Sequence, residues 1–242
     1  MSFKKGLRKY STLFHKWMGL VIGIQVVLWI AGGFVMSYYK IEVVRSEHNI
    51  AEPDLIAFSA DYPLAPINLV LAQVEGPVKE VKLRSLVDYP VYEVTLMSGQ
   101  VDIFHALAAQ KLSPLPGAAA VVIAEADFAG EGAPTEALWV EEHNTEYRGV
   151  LPVWRVDMND VEGTHLYVSP QTGQVVARRS DVWRVYDFFW MLHIMDYKNR
   201  TDFNNPLLVW ASVFALVFSV TGIIMLFYHF KRRDFGLGNR RS

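Results

Sequence analysis

Two stretches of the chain show no alternation of polar and apolar positions. Between Trp17 and Tyr39 there is no charged side chain, and between Phe203 and Phe230 the only side chain that can carry charge near neutral pH is His229. Each exceeds the roughly 20 residues that a helix needs to cross the hydrocarbon core of a bilayer, so both are predicted to be transmembrane helices. The first is too long for the apolar region of a secretory signal and ends in "GGFVMSYYK", without a small-x-small cleavage site. It reads as an uncleaved anchor. Between the two stretches the pattern changes. Tyr92, Val94 and Leu96 alternate with Val91, Glu93 and Thr95, the period-two signature of a half-buried strand. "APINLVLAQVEG" (65–76) and "GAAAVVIAEADFAG" (117–130) read as helices, and "SPQTGQ" as a hairpin turn framed by Pro170 and Gly173.

The middle segment also repeats itself. "YPVYEV" (89–94) aligns with "LPVWRV" (151–156), and "IFHALAAQKL" (103–112) with "LYVSPQTGQV" (166–175), at a near-constant offset. Each copy runs helix, strand, strand, turn. The expected fold is therefore an α+β membrane protein, with two transmembrane helices flanking a duplicated extracytoplasmic α+β domain. Residues 1–39 form the N-terminus and first span, 40–114 and 115–180 the two α+β units, 181–205 an interfacial aromatic helix and loop, and 206–242 the second span and a basic tail.

Charge assigns the sides. Of 23 bases and 25 acids, residues 1–39 and 206–242 hold ten bases but only one acid, Asp234. That leaves thirteen bases against 24 acids in the middle. Lysine and arginine flanks stay on the cytoplasmic side, so both termini are expected there and residues 40–205 outside. Tyr38, Tyr39, Trp210 and Tyr228 suit the interfaces. An acidic middle is the wrong sign for a nucleic-acid partner. The chain has no cysteine, which removes disulfides, Cys-ligated iron–sulfur clusters and covalently attached haem. Ser-His-Asp order, H-E-x-x-H and phosphate-binding glycine loops are also missing, against a hydrolase or nucleotide-binding role.

Histidine carries the remaining chemistry. On a helix, His15 shares a face with Gly19, Ile22, Val26, Trp29 and Gly33. On the last helix, Ala211, Ala215, Gly222 and Met225 form a stripe that ends in His229. With the spans antiparallel, His15 and His229 lie at one membrane level, and two imidazoles on facing helices beside small residues suit a bis-His haem. The same stripes also serve as plain helix-packing surfaces. His193 follows Trp183, Tyr186 and Trp190 on one side of an aromatic helix. The Met191-x-His193-x-Met195 spacing invites Cu(I), but in a helix His193 points away from both methionines. His48, His105, His143 and His165 lack metal-type spacing and read as surface or core residues.

"LPVWRVDMNDVEGTHLYVSPQTGQVVARRS" resembles a PepSY domain. "FHKWMGLVIGIQVVLWIAGGFVMS" resembles the first membrane helix of PepSY-associated transmembrane proteins, and "FFWMLHIMDYKNRTDFNNPLLVWASVFALVFSVTGIIMLFYHF" their second membrane segment. The resemblance implies a bacterial inner-membrane protein of the iron-regulated group, in which His15 matches the motif histidine of the first helix and His193 that of the second segment. It further implies non-covalent haem b, one or two per chain, an electron supply from a cytoplasmic donor or quinone, and ferric-siderophore as substrate of a haem-dependent reductase. Larger members have four membrane helices, so a two-helix chain is expected to form a homodimer or a membrane complex. The alternative left open is a non-enzymatic anchored PepSY module acting on a peptidase or a transport partner. For the topology, a reporter active only outside the cytoplasm and joined after Ser85 is expected to be active. Activity of a cytoplasm-only reporter at that junction would reverse the assignment.

Overall fold

The computed structural model describes residues 2–53, 56–59 and 61–230, without the side chains of residues 2–5, 7, 8, 228 and 229. In chain order its elements are α1 (Ser2–Tyr38), α2 (Ile41–Val44), a 3-10 turn (Glu47–Asn49), α3 (Ile67–Leu71), β1 (Val78–Leu86), β2 (Tyr89–Leu96), β3 (Val101–His105), α4 (Gly117–Asp127), β4 (Leu138–Val140), β5 (Val153–Asp157), β6 (His165–Val168), β7 (Val175–Arg179), α5 (Asp181–Ile194) and α6 (Pro206–His229). They fall into two compact units, Lys40–Val185 and the pair of segments Met1–Tyr39 and Tyr186–Ser242.

The 40–185 unit holds two antiparallel sheets, β1-β2-β3 and β4-β5-β6-β7. The alternation in β2 sorts its residues as the sequence predicts. Tyr92, Val94 and Leu96 turn to a core with Val70 of α3 and Phe104 of β3. Val91 turns the other way, into a larger core to which both sheets contribute: Leu86, Val91 and Ile103 from the first, Val156, Leu166 and Val168 from the second, with Ala120, Ile123 and Ala124 of α4. On the far face of the second sheet Tyr167 stacks on Tyr147, centroids 4.8 Å apart, beside Val153. Helix α3 is shorter than the helix-like stretch around it, which turns at Ala72 and reaches Gly76 at φ +115°.

The turn between β6 and β7 is fixed by Gly173, whose N–H donates to Ser169 O at 2.8 Å and whose φ is +65°. The backbone here is seated in the large core, because a Cβ on Gly173 would stand 2.9 Å from Leu86 and Leu115 side-chain carbons and 3.3 Å from Ile123. Both the left-handed φ and the lack of space demand glycine.

In the other unit α1 and α6 contain the two helices long and apolar enough to cross a membrane, Lys9–Tyr38 and Pro206–Phe227. At about 1.5 Å per residue each spans a hydrocarbon core. Asn205 starts α6 with its side chain accepting from Leu208 N–H at 2.9 Å, and Pro206 takes the first helical position, where its missing N–H has no intrahelical partner to lose. The early part of α1 meets the late part of α6, whereas its later part meets the end of α5, just before α6 begins. The two spans are therefore antiparallel. In each, little of the most apolar window is buried, 11% and 6%, as expected of surfaces that face lipid or further helices.

Gly173→Ala is expected to lower the stability of the 40–185 unit by roughly 1–3 kcal/mol, from φ strain and overpacking together. Urea unfolding of the intact protein in detergent, followed by near-UV circular dichroism, checks this, and an unchanged midpoint would contradict it.

Candidate functional site

His15 is locked between the spans. Its ring stacks on Phe218 at 4.2 Å with planes 9° apart, and two glycines make room for the stack. A Cβ on Gly19 would stand 3.1 Å from the Phe218 ring, and one on Gly222 3.0 Å from His15 Cε1. Nδ1 of His15 lies 3.1 Å from Phe218 O and 3.2 Å from Thr221 Oγ1, while the Thr221 hydroxyl donates to the same carbonyl at 2.8 Å. A carbonyl oxygen only accepts, so Nδ1 carries the proton. In the neutral imidazole the lone pair then falls on Nε2, the tautomer a metal-ligating histidine adopts when its other nitrogen donates to backbone. A cleft of about 460 Å³ opens here, lined by His15, Gly222, Met225 and Leu226. His229, the expected partner of His15, ends α6, and its side chain lies outside the described residues.

His193 sits in the last turn of α5. Its Nδ1 is buried with no hydrogen-bond partner and faces Gly32 of α1, where an added Cβ would lie 3.7 Å away. The Trp29 indole N–H donates to the His193 carbonyl at 2.8 Å. Buried polar nitrogens are rarely left unpaired. Gly32 stands 17 residues beyond His15, about 25 Å along α1, so the two imidazoles occupy opposite ends of one span and cannot share a ligand. Among the described residues no cluster of three or more His, Asp or Glu side chains has the arrangement of a metal site.

The histidines without metal-type spacing have ordinary partners. His48 pairs with Glu162 at 3.2 Å, His105 stacks on Tyr89, and His143 meets Gly149 O at 3.0 Å. His165 does more. With Arg184 it brackets the Glu146 carboxylate, Nδ1 at 2.7 Å and Arg184 Nε at 2.7 Å, and Tyr167 donates to it at 3.0 Å. Burial by itself would raise the Glu146 pKa; the bonds and charges of His165 and Arg184 outweigh it and bring it down to about 2. The same unit carries a cleft of about 610 Å³ that includes Arg84, Asp88, Asp127, Gly173 and Gln174 in its walls. Sequence reasoning missed Phe218 and Thr221, which pairwise helix register alone brings to His15, and Gln25, whose isolated polarity inside an apolar run was the available signal.

Because its folded-state pKa is depressed, Glu146 contributes its stabilisation in full above pH 4.5 and loses it as pH falls toward 2. Glu146→Gln is expected to unfold more readily than the native chain at pH 6, with the gap closing below pH 4. Denaturation curves of both proteins across that range check this, and a gap that does not change with pH would contradict it.

A family model described as the PepSY-associated TM region matches residues 12–242. No curated protein and no solved structure matches the chain.

Proposed function

This chain belongs to the PepSY-associated TM family, and we propose that within it the protein is a b-type haem electron carrier of a bacterial inner membrane, passing electrons outward to ferric iron or ferric-siderophore. The observation that carries this reading is the pair of imidazoles at two well-separated levels of α1, His15 within it and His193 of α5 against Gly32. One has its Nδ1 held against the Phe218 carbonyl beside a cleft; the other has a buried, unpartnered ring nitrogen. The residues fit the group at His15, where the backbone-anchored Nδ1 and the small Gly222 leave an edge of the ring free for iron, with His229 as the second ligand. At His193 the orphaned nitrogen invites a ligand, and among the described residues of the helical unit no second histidine stands at that level. A second copy of the chain supplies one and also covers the exposed helix faces. Haem b held at both levels would supply reversible one-electron transfer. Two are needed because a hydrocarbon core about 30 Å thick is too wide for one. Quinone or a cytoplasmic donor feeds the inner level, and the acidic outer unit receives the ferric substrate.

A second reading is an anchored binding module acting on a peptidase or a transport partner, for which the 610 Å³ cleft in the 40–185 unit would be the docking recess.

Haem-to-protein ratios of variants separate the two. His15→Ala and His229→Ala are expected to lose the same haem, His193→Ala a different one, and His48→Ala and His143→Ala none. Full haem content with an unchanged reduced spectrum in His15→Ala would reduce His15 to a packing residue.

A further inference from the structure

A helix leaves its last four carbonyls without intrahelical donors. At the end of α5 three consecutive ones are taken by side chains from elsewhere in the same unit. Gln25 Nε2 donates to Leu192 O at 3.0 Å, Trp29 Nε1 to His193 O at 2.8 Å, and Asn205 Nδ2 to Ile194 O at 3.0 Å. Gln25 and Trp29 lie four residues apart, hence on one face of α1, and Gly32 continues that face to the His193 ring. Asn205 uses its other side-chain atom to start α6. The chain between them is also tied down. Met195 ends α5 at φ +55°. The Asp196 carboxylate accepts backbone N–H groups of Lys198, Asn199, Thr201 and Asp202, and Arg200 pairs with the buried Asp187.

The geometry points to Gln25 and Trp29 as positioning residues for His193: they clamp the last turn of α5 to α1 and so set where the His193 imidazole stands. Both donors are needed for a reason of geometry. One hydrogen bond to a helix end fixes a point but leaves the turn free to rotate about it, whereas two bonds from side chains one turn apart fix its rotation and its register. Rotation is what decides whether the ring of His193 faces Gly32. A polar glutamine and an indole in an otherwise apolar span are thereby accounted for, since carbonyls near hydrocarbon must find donors within the protein. The functional side of this inference rests on the proposal that His193 holds a haem; the clamp itself does not.

Gln25→Met, which keeps the length and loses the N–H, and Trp29→Phe test it in the full-length protein in detergent. Hydrogen exchange read by mass spectrometry over residues 186–196 is expected to speed up about tenfold or more in each, with or without haem. In haem-loaded protein, the ferric low-spin resonance that disappears in His193→Ala is expected to shift and broaden. Haem retention at that level should weaken by about 10- to 100-fold, the usual effect of losing a residue that orients a ligand. Native exchange rates and an unmoved resonance in both variants would overturn the clamp. Full haem content in His193→Ala would instead overturn the haem assignment of His193, leaving the exchange result to judge the clamp alone.

Discussion

The stack of His15 on Phe218, seated between Gly19 and Gly222, is the contact on which the helical unit depends. Each ring fills the space left by a glycine on the opposite helix, so the two spans approach closely only at this register. The same approach brings Phe218 O and Thr221 to Nδ1 and thereby decides which nitrogen of His15 keeps its lone pair. In a membrane the hydrophobic effect gives no net drive for helices to associate, and packing with interhelical hydrogen bonds supplies it. Here one histidine serves both ends, as a knob and as a donor.

The two units are stabilised by different physics. Residues 40–185 bury an apolar core shared by both sheets and place charge around it, in Glu146 with His165 and Arg184, Arg84 with Glu93, and Asp102 with Lys111. Such partly buried pairs are tolerated because partial exposure limits the desolvation cost and extra hydrogen bonds satisfy the remaining donors and acceptors. The helical unit has almost no core of this kind. Among its polar side chains, Gln25, Trp29 and Thr221 donate to helix carbonyls, as hydrocarbon requires.

Much of the fold was legible because it is written in local patterns. The apolar runs mark α1 and α6, the alternation in 91–96 marks β2 and its two faces, and the Pro170–Gly173 turn sits where its residues say. The PepSY-like second strand, Leu166 to Val168, lies within β6. His15 was legible from its place at the start of an apolar face. What could not be read depends on register between distant elements: that Phe218 rather than Ala215 meets His15, that the end of α5 takes donors from Gln25 and Trp29, and that Glu146, far in sequence from Arg184, joins it across the unit. Hydropathy ranks residues along one helix but is blind to the rotation of its neighbour.

The proposed electron transfer requires iron held by imidazole at two levels of the membrane. The most direct measurement is the reduced-minus-oxidised absorption spectrum of the wild-type protein, purified in detergent from haem-replete cells. It should show b-type bands, with three haems per pair of chains, two at the inner level and one at the outer, and two reduction steps in a redox titration. A folded, intact protein with no haem absorption would contradict the electron-transfer reading.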